Sequence, residues 1–508
     1  MRLGLAACKV ELLLYGGRVP LDANLKPICF SLILTMSLAV SAVAGCRPEP
    51  ASGRFLAYTV EPVIADGAVS LAVTVSFRLP GTKSARLVLP SEWQGQKELY
   101  KAIHDLEALS PGTVLQKSET PWLRQVTFPL GQVVRLRYRV TKDWGGKIDS
   151  SSYFRVMLDR FYFQVSGRNF LVYPDLPDDE VLRMSLEWKG LPPRWSIVDS
   201  LAGDATCQSV TARLIKLSNG LFAGGEFRTS KMMVKGEPVY FATRDRWEFA
   251  DSSFSELAQK ILAAEREFWN DTGIPTYLIT LLPSDDTPGN YGGTALEDSF
   301  ALFMSRTTTL DFNTKFLLAH EMFHSWNAVK LGEIKQETPY WFTEGFTDYY
   351  ARLLLLRAGL ISAEECARDV DSRYYEYLSS PVLHVSGKRE REQFFEDSNL
   401  QRLAYLRGDF LAHRWDQLIR QRSGGKESLD TAMRNLLQQA RRHELVLTSD
   451  FLGSYFGSYV GPDGPQDVQK YIENGETIPL PSRRWSGPEE PQSQQTPSRP
   501  DSLINSAQ

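Results

Sequence analysis

Histidine and cysteine are the scarce residues of this chain, six and five among 508. Two of the cysteines, Cys8 and Cys29, fall ahead of position 46 with Cys46 itself beside them, which leaves Cys207 and Cys366 for the body. These two could pair in an oxidising compartment, but they lie far apart in sequence and a bridge is not expected; no cysteine cluster suggests a sulfur-ligated metal. Strong charge of one sign is also missing. The formal net charge is -4 and no long basic run occurs, so nucleic-acid binding by bulk charge is excluded as a reading. There is no internal repeat. Long apolar runs are confined to one place, Ile28–Gly45, preceded by Lys26.

That run has the shape of a signal peptide: a positive charge, an apolar core and small residues before a cleavage point. Val43-Ala44-Gly45-Cys46 resembles a bacterial lipobox. On this reading residues 1–45 are removed, Cys46 is lipidated, and a body is held at the membrane surface as an exported, membrane-anchored lipoprotein. The run is short for a spanning helix, which needs about 20 apolar residues. Residues 46–54 read as a tether.

What is present is globular: 43% hydrophobic and 23% charged residues over a length that suits two or three domains. The segment "AVSLAVTVSFRLP" alternates Val69, Leu71, Val73, Val75 and Phe77 with polar residues after an Asp66-Gly67 turn. "VRLRYRV" repeats the device, with Arg135, Arg137 and Arg139 on a solvated face. Residues 55–244 are expected to form an all-β, sandwich-like domain. From "DSSFSELAQKILAAEREFW" the spacing turns helical, two or three strands follow, and after Asp311 almost everything reads as helix. The fold class is therefore α+β multidomain: a β domain, then residues 245–480 with a mixed sheet lobe and a helical lobe. The Pro-, Ser- and Gln-rich residues 481–508 read as a disordered tail.

Against the scarcity of histidine, "FNTKFLLAHEMFHSWNAVK" places His320 and His324 four residues apart with Glu321 between them. Asp311 or Asn313 can cap a helix here, and its interior has no Pro or Gly. On a helix the two imidazoles share a face, one turn apart, where both can bind a single Zn²⁺, and Glu321 can reach a water beside it. Such a site needs a third protein ligand. "ETPYWFTEGFTDYYARLLLLRAGL" reads as a second helix, with Thr338 and Pro339 at its start and Gly359 just past its end. Glu344 and Asp348 lie four apart on it among aromatic residues. Burying carboxylates there is costly without a partner cation, so Glu344 reads as the third ligand. Asp348 then accepts a hydrogen bond from a ligand histidine, His320 being the first choice.

His320-Glu321-x-x-His324 followed by Glu344-x-x-x-Asp348 resembles the gluzincin zinc metallopeptidases, and within them the glycyl aminopeptidase family, whose two metal helices read much like "HEMFHSWN" and "WFTEGFTDYYARLLLLRAGL". The resemblance implies a β-rich domain on a thermolysin-like catalytic domain and cleavage of peptides from an N-terminal glycine. It also implies a glycine-rich edge strand with a Glu ahead of the metal helix, here Gly292, Gly293 and Glu297 in "YGGTALEDSF". The family's motif is usually Gly-Gly-Leu-Glu-His; this chain inserts Thr294-Ala295 and has Asp298 in place of the His, so Asp298 is a second candidate for holding a substrate ammonium. In "LAYLRGDF" the resemblance makes Tyr405 the hydrogen-bond donor to the developing oxyanion, with Arg407 where the family has Lys. Glu321 is then the general base. The relatives often add a C-terminal PDZ domain, which is not evident after Pro481. Competing readings are a zinc endopeptidase, indifferent to the N-terminus, and a metal-binding lipoprotein without catalysis.

Overall fold

The computed structural model describes residues 53–271, 276–287, 291–296, 298–332, 339–442 and 445–479. Glu297, Thr338, the apolar run with Cys46, and the segment 481–508 lie outside them. All described residues belong to one compact unit.

The first part is built on a six-stranded sheet. Its spatial order is Cys207–Arg213, Val181–Trp188, Phe55–Ala65, Ala68–Arg78, Val134–Val140 and Ile103–Ala108. The hairpin turn between the third and fourth of these places Asp66 and Gly67 at positive φ, 51° and 76°, which suits a two-residue turn matched to strand twist. Strict alternation then buries Val69, Leu71, Val73, Val75 and Phe77. The arginines of Val134–Val140 do face solvent, where Arg137 and Arg139 pair with Glu107 and Asp105. Two four-stranded sheets complete this part.

The second part is a five-stranded mixed sheet under helices. Its order is Arg228–Val234, Glu237–Thr243, Tyr277–Pro283, Ser299–Met304 and Tyr291–Leu296. The expected boundary at residue 244 therefore needs correcting. Strands 228–234 and 237–243 pair into this sheet, and Val234, Val239 and Phe241 join its core. Their alternating pattern looked like more of the β domain, and nothing local says which sheet a strand will join. Tyr291–Leu296 ends the sheet as an edge strand paired antiparallel with Ser299–Met304, and Asp298, just ahead of that second strand, has φ 56°.

Helix Asp251–Trp269 packs against the sheet and against helices Phe312–Phe323 and Thr347–Arg357. The long helix Ser398–Ser423 closes the lobe. On the sheet's other face a second cluster joins the two parts: Tyr153, Met157, Tyr162 and Leu221 meet Leu278, Leu282, Leu296 and Phe303. Cys366 keeps a free, buried thiol, so the two body cysteines do not pair with each other.

Candidate metal centre

Helix Phe312–Phe323 begins where Asp311 accepts a hydrogen bond from the Thr314 amide, 3.1 Å away, satisfying one of the free N–H groups of its first turn. Phe316, Leu318, Ala319, Met322 and Phe323 bury one face in the core. His320 sits in the last turn and His324 is the C-terminal capping residue. Both are buried, 5% and 8% exposed.

Glu344 arrives from a different kind of turn. Trp341–Phe346 is a π-helical turn that runs directly into helix Thr347–Arg357. Such a turn detunes the usual backbone ladder and recurs at functional sites. Here its carbonyls find side-chain donors. Buried Asn327 sends its amide N–H groups to the carbonyls of Phe342 (3.2 Å) and Thr343 (3.3 Å) and to Thr347 Oγ1 (3.0 Å), and Thr347 donates back to the Thr343 carbonyl at 2.6 Å. Asn327, three residues after His324, thus ties the two ligand segments together.

Three donor atoms converge. His320 Nε2 and His324 Nε2 are 3.0 Å apart, and Glu344 Oε2 lies 3.4 and 3.3 Å from them. A tetrahedral ion with bonds of about 2.0–2.1 Å needs ligand atoms about 3.3–3.4 Å from one another. The triangle meets that requirement with no rearrangement beyond a few tenths of an ångström. Among the described residues it is the cluster of three that could hold a metal ion.

The surroundings prepare His320 for the role. Its Nδ1 lies 2.8 Å from Asp348 Oδ1, which fixes the ring and leaves the Nε2 lone pair toward the ion. Burial alone would raise the Asp348 carboxyl. The Arg373 guanidinium, donating to Oδ2 at 2.6 Å, and then the His320 bond outweigh it and hold the carboxyl well below its usual range. Glu344 behaves alike: burial opposes ionisation, but His324 and His320 keep it a carboxylate. Burial dominates at Glu321 and lifts its carboxyl above the ordinary value, although both histidines pull the other way. A raised carboxyl is a stronger proton acceptor once ionised.

Tyr405 projects from the long helix with its ring stacked on His320, centroids 5.6 Å apart. Burial first, then the carboxylates of Glu344, Asp348 and Glu321, raise this hydroxyl well above its ordinary pKa, so it remains a donor. The long helix comes this close because Gly408, one turn on, lies against Gly345 of the π turn. Arg407 points elsewhere, to Glu390 and to the carbonyls of Leu383 and Val385, and is structural. His413 accepts from Arg352, itself paired with Asp369 and Asp409.

Of the edge strand, Gly292 and Gly293 are in place and Glu297 lies outside the described residues. Both glycines have a packing reason: an added Cβ would sit 1.7 Å from the Tyr153 ring at 292 and 2.4 Å from the Phe300 ring at 293. The outer hydrogen-bonding side of the strand is a separate face, and among the described residues no strand pairs with it. The second candidate anchor, Asp298, is already committed. Its buried carboxylate takes Lys216 Nζ at 2.8 Å and has Lys330 Nζ at 3.9 Å. Sequence reasoning missed Arg373, Asn327 and the Gly345–Gly408 contact. Only Asn327, a polar residue between Trp326 and Ala328 in "HSWNAV", left a local signal.

A family model described as M61 glycyl aminopeptidase matches residues 313–393, the stretch that contains both ligand segments. No curated protein matches the chain. Among solved structures, an aminopeptidase N family protein from Idiomarina loihiensis is similar at 19% identity with a TM-score of 0.68, covering 84% of this chain and 77% of its own. The M1 zinc metallopeptidase from Deinococcus radiodurans is similar at 15% identity and 0.55, covering 86% and 97%. A variant of that enzyme bound to a Tyr-Ser-Ala substrate matches at 15% and 0.54, covering 85% and 96%. At these identities the likeness to solved structures is one of fold: an N-terminal β domain on a helical catalytic domain. The family match on the ligand segments, with the three donor atoms those segments bring together, makes this chain a zinc peptidase with Zn²⁺ its expected cofactor.

Proposed function

We propose that this zinc peptidase is an aminopeptidase that removes small N-terminal residues such as glycine from peptides. The observation that carries the reading is the triangle of His320, His324 and Glu344 with Glu321 and Tyr405 beside it. The description of the matching family supports the glycine preference, and the peptide bound by the Deinococcus radiodurans relative supports the substrate class.

In this reading His320, His324 and Glu344 hold the zinc, and Asp348 sets the tautomer of His320. When bound, the zinc supplies Lewis-acid polarisation of the scissile carbonyl and acidifies water. Glu321 takes a proton from the attacking water as the O–C bond forms, then delivers it to the departing amine as the C–N bond breaks. Tyr405 donates its hydroxyl proton in a hydrogen bond to the carbonyl oxygen as negative charge collects there. The open side of Tyr291–Leu296, with Gly292 and Gly293, pairs with the substrate backbone as an added strand. Glu297 receives the α-ammonium and makes cleavage count from the N-terminus.

A short peptide panel tests this, each peptide with and without N-terminal acetylation. Loss of cleavage on acetylation supports the aminopeptidase. Cleavage indifferent to acetylation identifies an endopeptidase instead. No cleavage with zinc stoichiometrically bound leaves only a metal-binding protein. Glu321→Gln should abolish turnover and keep the metal. We further propose that Cys46 anchors the exported protein to a bacterial membrane; Cys46→Ser should then move it from the membrane fraction to the soluble one, and an unchanged distribution rules the anchor out.

A further inference from the structure

An aromatic column runs outward from the metal donors. His320 stacks on Tyr405, and Tyr405 on Phe394 with centroids 6.5 Å apart and ring planes 9° from parallel. Phe394 stacks on Tyr340 at 3.7 Å, and Phe395 meets both edge-on, at 5.0 and 5.7 Å. Phe394 is buried, but Phe395 is 57% exposed. Tyr340 opens the turn that carries Glu344. A large apolar ring left this open forgoes the stabilisation that covering it brings. Elsewhere on the surface exposed apolar side chains need no explanation; this one ends a wall that starts at the reacting centre.

We infer that Tyr340, Phe394 and Phe395 form a subsite for an apolar, preferably aromatic, side chain on the residue that follows the scissile bond. The assignment rests on the peptidase reading above and adds which side of the bond the wall serves. The edge strand that would pair with the N-terminal side belongs to the sheet lobe. The wall is built wholly from the helical lobe, from the start of the π turn, the segment after helix Gly387–Glu392, and the long helix. In an enzyme that anchors its substrate's first residue on the sheet edge, the leaving residue is the one that reaches the helical lobe. Aromatic rings offered edge and face favour an aromatic partner.

The test uses full-length, zinc-loaded protein and two tripeptides that differ only at the second residue, Gly-Phe-Gly and Gly-Ala-Gly. The native kcat/KM should favour the phenylalanyl peptide by about tenfold or more, the discrimination usual for a filled apolar pocket. Phe395→Ala should cut that ratio to about threefold or less, and Phe395→Leu should keep more of it. A native ratio near unity, or a ratio unmoved in Phe395→Ala, overturns the subsite. Melting curves of both variants confirm that they fold, as expected for an exposed position. Binding of the same two peptides to the zinc-loaded Glu321→Gln protein gives a second, turnover-free reading of the ratio. If the native protein cleaves neither peptide, the peptidase reading fails, and equal affinities in this binding arm overturn the subsite separately.

Discussion

Replacing Gly408 by alanine should separate the two elements that make the metal centre. The added Cβ would lie 1.6 Å from the Trp341 carbonyl oxygen and 2.8 Å from Gly345 Cα. Ordinary contact needs about 3.5 Å, so the long helix must retreat from the π turn by roughly 1.5–2 Å. Neither obstacle is a flexible side chain that can swing aside; both are backbone, and the turn is held from behind by Asn327. Overpacking of a tight core costs about 1–3 kcal/mol, and a backbone clash of this depth belongs at the upper end. The larger consequence is functional, because Tyr405 rides on the helix and Glu344 on the turn. A misplacement of about 1 Å at a catalytic constellation costs on the order of a hundredfold in rate. Gly408→Ala should therefore lower the melting temperature by several degrees and reduce kcat/KM on a glycyl peptide by about a hundredfold. Gly345→Ala, whose Cβ would lie 2.3 Å from Gly408 Cα, should do the same, and the double variant should cost far less than the sum. Differential scanning calorimetry and steady-state kinetics read both. A Gly408→Ala protein with native melting temperature and native kcat/KM would refute the claim that this crossing positions the centre.

Tyr405→Phe keeps the stack on His320 and removes only the hydroxyl. It should lower kcat by about a hundred- to a thousandfold, the usual cost of one oxyanion donor, with zinc affinity unchanged; a variant that loses zinc instead would show that the tyrosine acts on the ligands. Zinc loading should depend on pH. Burial opposes a charge on His320, but the hydrogen bonds to Asp348 and Glu344 prevail and push its pKa up to about 10. The metal-free protein therefore holds a proton there at all lower pH, and a ligating imidazole must shed it. Apparent affinity should fall about tenfold per unit as pH drops between about pH 8 and 6, as competition titrations with a chelator can measure; an affinity flat across that window would contradict the assignment.

The polar groups behind the site form a buried chain. Asp348 holds Arg373, Arg373 and Arg352 share Asp369, and Arg352 reaches Asp409 and His413. Breaking such a chain at one member leaves the next charge buried and uncompensated, which costs far more than an exposed ion pair of the same length. The centre is thus coupled to helix Ala363–Leu378 and to the long helix through charge as well as packing.

Local periodicity and capping chemistry act over one or two helical turns, so what depends on them was legible in the amino-acid sequence alone. The helix with His320 and His324 one turn apart, the Asp311 cap, the αL glycine Gly359, the Asp66-Gly67 turn and the division into β-rich and helical parts all belong here. So did the need for a third ligand, because carboxylates among aromatic residues demand a cation. Tertiary structure decided the rest. It bent the Glu344 segment into a π turn, assigned strands 228–243 to the second sheet, took Asp298 for Lys216, and gave Asp348 to Arg373. Each of these joins residues whose separation along the chain carries no information. Which buried donor meets which acceptor, and which two glycines allow backbones to touch, is settled only when the elements pack. A periodic pattern names the face that is buried, and the partner on that face is chosen by the whole fold.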